Sequence, residues 1–259
     1  MELDIKEAPW QFLDSEENNH IDYLKDNYVP MALIDMLKTT PKLAMDIGCF
    51  VGTTGAYIKQ KWPECRVVGV EPTAKAAAQA RTKVDALFEG PFENMPLDSV
   101  GVKPGNVDLV VFADVLEHMH NPWAALIQVR KLLSPTGAVL VSLPNVRNLK
   151  ILGELACGNF RYKPAGILDI THIRFFTYSD ALIMFEQTGF TVEERKINCD
   201  SSLVETLKSI PKDRSINMNM GKFSLHDVNY SEAEELCALQ FFFLLRATDM
   251  LLGKTDKTG

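Results

Sequence analysis

A chain of 259 residues that is 46% apolar can build one large core, or one domain with additions. With 27 Lys and Arg against 34 Asp and Glu, its net charge of −7 excludes the basic surface that nucleic-acid phosphates need. The longest apolar cluster, "LQFFFLLRA" at 239–247, is far too short to span a bilayer, and the leading "MELDIKEAPW" lacks the apolar stretch of a secretory signal.

The five cysteines, Cys49, Cys65, Cys157, Cys199 and Cys237, are scattered and form no CxxC pair. Neither a zinc cluster nor a disulfide framework is expected, and the reading is reduced thiols in a cytoplasmic protein.

In chain order, residues 1–40 read as polar turns and helix, with "YVPMALIDMLKTTP" a helix stopped near Pro41. They are expected to cap a main domain running from 41 to 259. "KLAM" (42–45) is a short apolar strand and "TTGAYIKQKW" (53–62) a helix ended by Pro63. "RVVGV" (66–70) is a second strand, followed by the Ala-rich, helix-favouring "TAKAAAQARTKV" (73–84). "DALFEG" (85–90) offers a third strand. "VDLVVF" (107–112) is a fourth, continuously apolar and so buried on both faces. "NPWAALIQVRKLL" (121–133) is a helix with Asn121 as N-cap and Pro122 at its first position, then "SPTG" a turn and "AVLVSL" (138–143) a fifth strand.

Beyond Pro144 the pattern loosens. Residues 146–160 read as helix and 161–177 as loop. "TYSDALIMFEQTGF" is a helix with a Thr177-to-Asp180 start and a stop at Gly189. "TVEERKI" (191–197) is a sixth strand, residues 199–230 are polar without a clear element, and "QFFFLLRATD" (240–249) is a last strand. Strand and helix in alternation predict an α/β fold with a parallel sheet and helices on both faces.

Such sheets bind ligands beyond the carboxyl ends of their strands. The first strand runs into "MDIGCFVGTTG", with Asp46, Gly48 and Gly52 spaced D-x-G-x-x-x-G. A dinucleotide turn would read G-x-G-x-x-G, but Phe50 stands where its middle glycine would be. Asp46 would repel a pyrophosphate and suits a cation, so S-adenosylmethionine, a sulfonium without phosphate, is the ligand expected here. The second strand ends on Glu71, placed to accept hydrogen bonds from ribose hydroxyls. The two features together point to an adenosine-ribose site without separating S-adenosylmethionine from NAD.

"LAMDIGCFVGTTG", "VVGVEP", "VDLVVFADVLEHMHNP" and "LLSPTGAVLVSLPNV" resemble, in order, the motifs of class I S-adenosylmethionine-dependent methyltransferases. The segment "GNFRYKPAGILDITHIRFFTYSDALIMFEQTGF" is similar to methyltransferases of O-antigen and cell-surface polysaccharide biosynthesis, close to the methionine-biosynthesis W-like group. The resemblance implies a Rossmann-like fold with a seven-stranded, mostly parallel sheet, and an acceptor-side insertion at about 145–178. It implies Asp46, Gly48, Cys49, Phe50, Gly52, Glu71, Pro72, Phe92, Asp114 and Val115 at the cofactor. Two positions depart from the pattern: Phe50, and Pro91 in "EGPFEN" where an acid near the adenine is usual, leaving recognition there to backbone groups, Phe92 or Glu93. A lid carrying Trp10, Phe12 and Tyr23 follows from the same family habit.

Methyl transfer from a sulfonium asks the protein mainly for alignment and desolvation. A sugar hydroxyl is a poor nucleophile, for which a general base is worth roughly 10²–10⁴-fold, and histidine suits neutral pH. Of His20, His118, His120, His172 and His226, two stand out. His172, in "LDITHIRFF", is expected as the base with Asp169 orienting its ring, and Arg174 would hold an anionic group of the acceptor. His118, in "LEHMH", either lines the acceptor site or, with Glu117, holds loops in place. The expected activity is metal-free O-methylation of a sugar or glycan precursor, with a homodimer as the assembly kept open. The rivals are methylation of a quinone or lipid precursor, a nicotinamide oxidoreductase, and a non-catalytic cofactor binder.

Overall fold

The computed structural model describes residues 29–248. The expected cap over residues 1–28, with Trp10, Phe12 and Tyr23, lies outside the described residues. What remains of it is one helical turn, α1 (Met31–Ile34), entered from Pro30. The expected longer helix is absent from 35–41, where the pre-proline Thr40 disfavours helix. Leu33, Ile34, Met36 and Leu37 are buried and fasten this segment to one face of the sheet with Ala44, Ile58, Trp62 and Leu140.

The chain then alternates as its pattern predicts. The first half contains β1 (Leu43–Ile47), α2 (Thr53–Lys61), β2 (Arg66–Glu71), α3 (Ala74–Ala80), β3 (Ala86–Glu89) and β4 (Val107–Ala113). Then come α4 (Pro122–Leu132), β5 (Leu133–Pro144), α5 (Leu149–Ala156), α6 (Tyr178–Gln187) and β6 (Phe190–Cys199). The chain finishes with α7 (Val204–Ser209), β7 (Ile216–Asn219), β8 (Ser224–Val228), α8 (Tyr230–Cys237) and β9 (Ala238–Ala247). Asn121 caps α4 by accepting the Ala124 N–H, and Thr177 caps α6 by accepting that of Asp180.

Seven strands form one sheet in the order β3-β2-β1-β4-β5-β9-β6. β1 to β5 pair in parallel, and β9 is inserted antiparallel between β5 and β6. This is the seven-stranded, mostly parallel, Rossmann-like arrangement expected. β1 and the centre of β4 are buried on both faces, which is why they read as unbroken apolar runs.

Two details differ from the sequence reading. "SPTG" is not a free turn but a bulged entry into β5: Val107 pairs with Leu133 and Leu109 with Ala138. Residues 199–230, which carry no clear pattern, supply α7 and the β7–β8 hairpin. With α8 and Leu149 they bury a separate small core around Val228, Leu236 and Cys237. Among the described residues no helix is long and apolar enough to cross a membrane.

Candidate active site

Strand order reverses between β1 and β4, so the turns after β1, β2 and β4 open onto the same edge. The first turn is built on left-handed backbone. Gly48, Phe50 and Gly52 have φ of 67°, 49° and 79°. Glycine is obligatory at two of them for space as well. A Cβ on Gly48 would meet Val115 Cγ2 at 2.6 Å, and one on Gly52 would meet Ala80 Cα at 2.9 Å. Phe50 therefore occupies a glycine-type conformation with a bulky side chain, which packs on Val51 and Ala76.

Asp46 lies at the base of this turn, 1% exposed, and its Oδ2 has no hydrogen-bond partner. Burial pushes its carboxyl up to about 7, the nearby Gly55 amide opposes this, and the Glu71 charge adds to it. Glu71 is also buried. Its Oε2 accepts the Phe50 N–H at 2.9 Å and its Oε1 the Thr73 N–H at 2.8 Å. A carboxylate has about four lone-pair positions, so two remain for a ligand. The Cys49 thiol is buried beneath the turn and burial pushes its pKa up, so it stays protonated. Pro72 is exposed beside Glu71. Phe92 is placed differently from the expectation. Its ring is 2% exposed and stands edge-on to Phe112 in the main core, so it presents no open face to an adenine.

After β4 the chain turns sharply at Asp114, whose φ is 56°. Its Oδ1 accepts the Ser142 hydroxyl at 2.7 Å and the Gln240 amide at 2.8 Å, and its own N–H donates to Ser142 Oγ. Burial raises its carboxyl pKa, against those hydrogen bonds and the His172 charge. Neither Ser142 nor Gln240 stands out in the sequence, since each is one polar residue within an apolar strand.

The loop 167–176 folds over this turn. The N–H groups of Ile173 and Arg174 both donate to the Glu117 carbonyl at 3.0 Å. This brings His172 to the end of β4, where its ring stands edge-on to that of His118 with centroids 4.7 Å apart. The Ile167 carbonyl accepts from His172 Nδ1 at 3.0 Å. Asp169 Oδ1 accepts from Thr171 N and Oγ1, so this carboxylate shapes the loop that carries the ring. Arg174 is engaged locally, donating to the carbonyls of His120 and Ile173. Glu117, read as a loop-holding residue, is buried at 1% exposure with both carboxyl oxygens unpartnered, and Oε1 lies 3.9 Å from His172 Nε2. His120 and His226 are exposed.

Residues 45–139 match the family described as a methyltransferase domain, a span that contains both the glycine turn and the β4 turn. Trans-aconitate 2-methyltransferase of Escherichia coli is 28% identical over 102 residues, which are 39% of this chain and 38% of that protein. The chain spans between 35% and 41% of the length of such curated relatives. A chain of the complex between the Haloferax volcanii Trm112 methyltransferase activator and a methyltransferase superposes with a TM-score of 0.59 at 12% identity, covering 91% of this chain and 96% of that one. An S-adenosylmethionine-dependent methyltransferase of Mesorhizobium loti gives 0.51 at 17%, covering 83% and 96%. The fold is that of the class I methyltransferases. The matched methyltransferase domain supports S-adenosylmethionine as the cofactor. The site fits it: a buried, unpartnered carboxylate oxygen on Asp46 suits a cationic ligand, and Glu71 keeps acceptor capacity for a ribose.

Proposed function

We propose that this protein transfers the methyl group of S-adenosylmethionine to a hydroxyl of a sugar or glycan precursor. The observation that carries the reading is convergence. The turn Asp46–Gly52 and Glu71, suited to the cofactor, share one sheet edge with a histidine-bearing loop tied to the end of β4. The bound cofactor supplies an electrophilic methyl carbon on a positively charged sulfur, which leaves as a neutral thioether.

Everything else falls to the chain. Asp46, Gly48, Cys49, Phe50, Gly52, Glu71, Pro72, Asp114 and Val115 form the cofactor side. His172 takes the acceptor proton. The Ile167 carbonyl holds the Nδ1 proton, which leaves the lone pair of the neutral ring on Nε2. Asp169 positions the loop through Thr171, while His118 and Arg174 border the acceptor. Residues 167–176 dock over the β4 turn through the Glu117 carbonyl and border the acceptor side. A second copy of the chain completing a homodimer is compatible with this arrangement.

The histidine is what favours an oxygen acceptor, since an amine would need only to be deprotonated. The test is product analysis with methyl-labelled cofactor and a panel of sugar nucleotides, quinone precursors and lipid precursors. Label in a sugar product supports the reading, and label only in a quinone or lipid moves the assignment to that class. Replacing His172 by Ala should lower turnover by about 10²-fold or more, and a loss below threefold would remove it as the base.

A further inference from the structure

One carboxylate in the site has no role in the reading above. Glu117 is buried and neither of its carboxyl oxygens has a hydrogen-bond partner. His172 donates from Nδ1 to the Ile167 carbonyl at 3.0 Å, and its Nε2 lies 3.9 Å from Glu117 Oε1. Thr171 O and Oγ1 lie 3.2 and 3.1 Å from His118 Nδ1, and the His118 ring stands edge-on to that of His172 with centroids 4.7 Å apart. One potential ligand atom from each of Glu117, His118 and His172 lies within 4.8 Å of the others.

Two buried carboxyl oxygens on Glu117 without a hydrogen-bond donor are unfavourable unless a positive charge meets them. We propose that Glu117, His118 and His172 bind a first-row divalent metal ion, as a two-histidine, one-carboxylate site with open positions. The chemistry of the donor set selects the ion. Two imidazoles and one carboxylate suit Zn²⁺ or Mn²⁺, whereas Mg²⁺ and Ca²⁺ prefer oxygen ligands throughout. Cysteine spacing, which led the sequence reading to expect no metal, carries no information about such a site. Its ligands come from two segments more than fifty residues apart, and only the packing of loop 167–176 onto the β4 turn joins them.

The inference rests on the methyl-transfer reading and deepens it. A cation here would lower the pKa of an acceptor hydroxyl and take up the charge of its oxygen as the O–H proton leaves to solvent. With the ion bound, His172 serves as its ligand in place of the base role given above, while the methyl transfer to a hydroxyl is unchanged. An acceptor with two neighbouring hydroxyls, or a hydroxyl beside a carboxylate, would fill the open positions, which narrows the sugar class to such bidentate groups.

The test uses the full chain. After chelator treatment and dialysis, Zn²⁺ and Mn²⁺ are titrated by calorimetry, and Co²⁺ is added to read the ligand field by absorption. S-adenosylmethionine binding is measured on every protein. One equivalent of Zn²⁺ or Mn²⁺ is expected, at micromolar Kd or tighter, with visible bands for Co²⁺. Glu117→Gln and His118→Ala should each weaken binding by about 10-fold or more while leaving cofactor affinity within about threefold. His118 is exposed, so its variant tests the site even if Glu117→Gln does not fold. Less than a tenth of an equivalent bound at about 1 mM ion, or equal binding by wild type and His118→Ala, overturns the metal site. Loss of cofactor binding by the wild type would instead overturn the methyltransferase reading, whatever the metal does.

Discussion

The Glu71 carboxylate holds the Phe50 backbone, accepting its N–H at 2.9 Å. One side chain thus sets the shape of the turn and, on the proposed reading, would also meet the cofactor ribose. Glu71→Ala should remove both effects. A charge-assisted hydrogen bond is worth about 1.5–3 kcal/mol, so affinity for S-adenosylmethionine should fall about 10- to 100-fold. Glu71→Gln keeps one acceptor oxygen and should fall about 10-fold or less. Calorimetry checks both, and a Glu71→Ala affinity within threefold of wild type would remove this residue from the site.

Phe50 sits at φ 49° on a turn whose neighbours are glycines. Left-handed backbone costs a side-chain-bearing residue about 1–2 kcal/mol. Phe50→Ala keeps that cost and loses the packing on Val51 and Ala76. Phe50→Gly loses the same packing but relieves the backbone. Glycine is usually the less stable of the two, by about 0.5–1 kcal/mol in regular structure. Here Phe50→Gly should be the more stable, by roughly 1 kcal/mol, in denaturant unfolding. Equal stability, or the ordinary order, would show that the turn is not strained.

The position of Phe50 was legible as a departure from spacing, and so was most of the sheet. β1, β2 and β4 are apolar runs because both faces are covered, and that signal is local. The small core of residues 199–237 was not legible. Its elements are short and half-polar, and Leu203, Met218 and Leu236 become a cluster only after the chain has folded back on Leu149. The site divides in the same way. Asp46, Gly48 and Glu71 sit at strand ends, whereas the partners of Asp114, Ser142 and Gln240, are 28 and 126 residues away. Phe92 was misplaced because an aromatic next to a loop reads alike whether it faces a ligand or the core.

Gly48 and Val115 form a testable pair. A Cβ at Gly48 would lie 2.6 Å from Val115 Cγ2, a side-chain atom that can be removed. Gly48→Ala should cost about 2–4 kcal/mol, from backbone strain at φ 67° plus the clash. In the Val115→Ala background the same change should cost less by about 1 kcal/mol or more, a coupling that a double-mutant cycle reads directly. At Gly52 the obstacle is Ala80 Cα, which no side-chain substitution moves, so Gly52→Ala should have no such rescue. Additive costs at 48 and 115 would refute the contact.

Asp46 should make stability and cofactor binding depend on pH in opposite directions. Burial pushes its carboxyl up to about 7 in the folded chain, against 3.8 for an ordinary aspartate. Between those values the folded chain holds more protons than the unfolded one, so the contribution is fully present below the lower value and is lost as pH rises to about 7. A shift of roughly three units limits the loss to about 4 kcal/mol. Asp46→Asn removes the titration, and its stability relative to wild type should therefore grow between pH 5 and pH 7.5 in chemical denaturation. A cationic cofactor prefers the ionised form, of which only about a tenth is present at pH 6. Wild-type affinity for S-adenosylmethionine should thus rise by up to about tenfold from pH 6 to pH 7.5, while Asp46→Asn binds more weakly and with little slope. Parallel pH profiles for the two proteins would mean that Asp46 does not meet the cation.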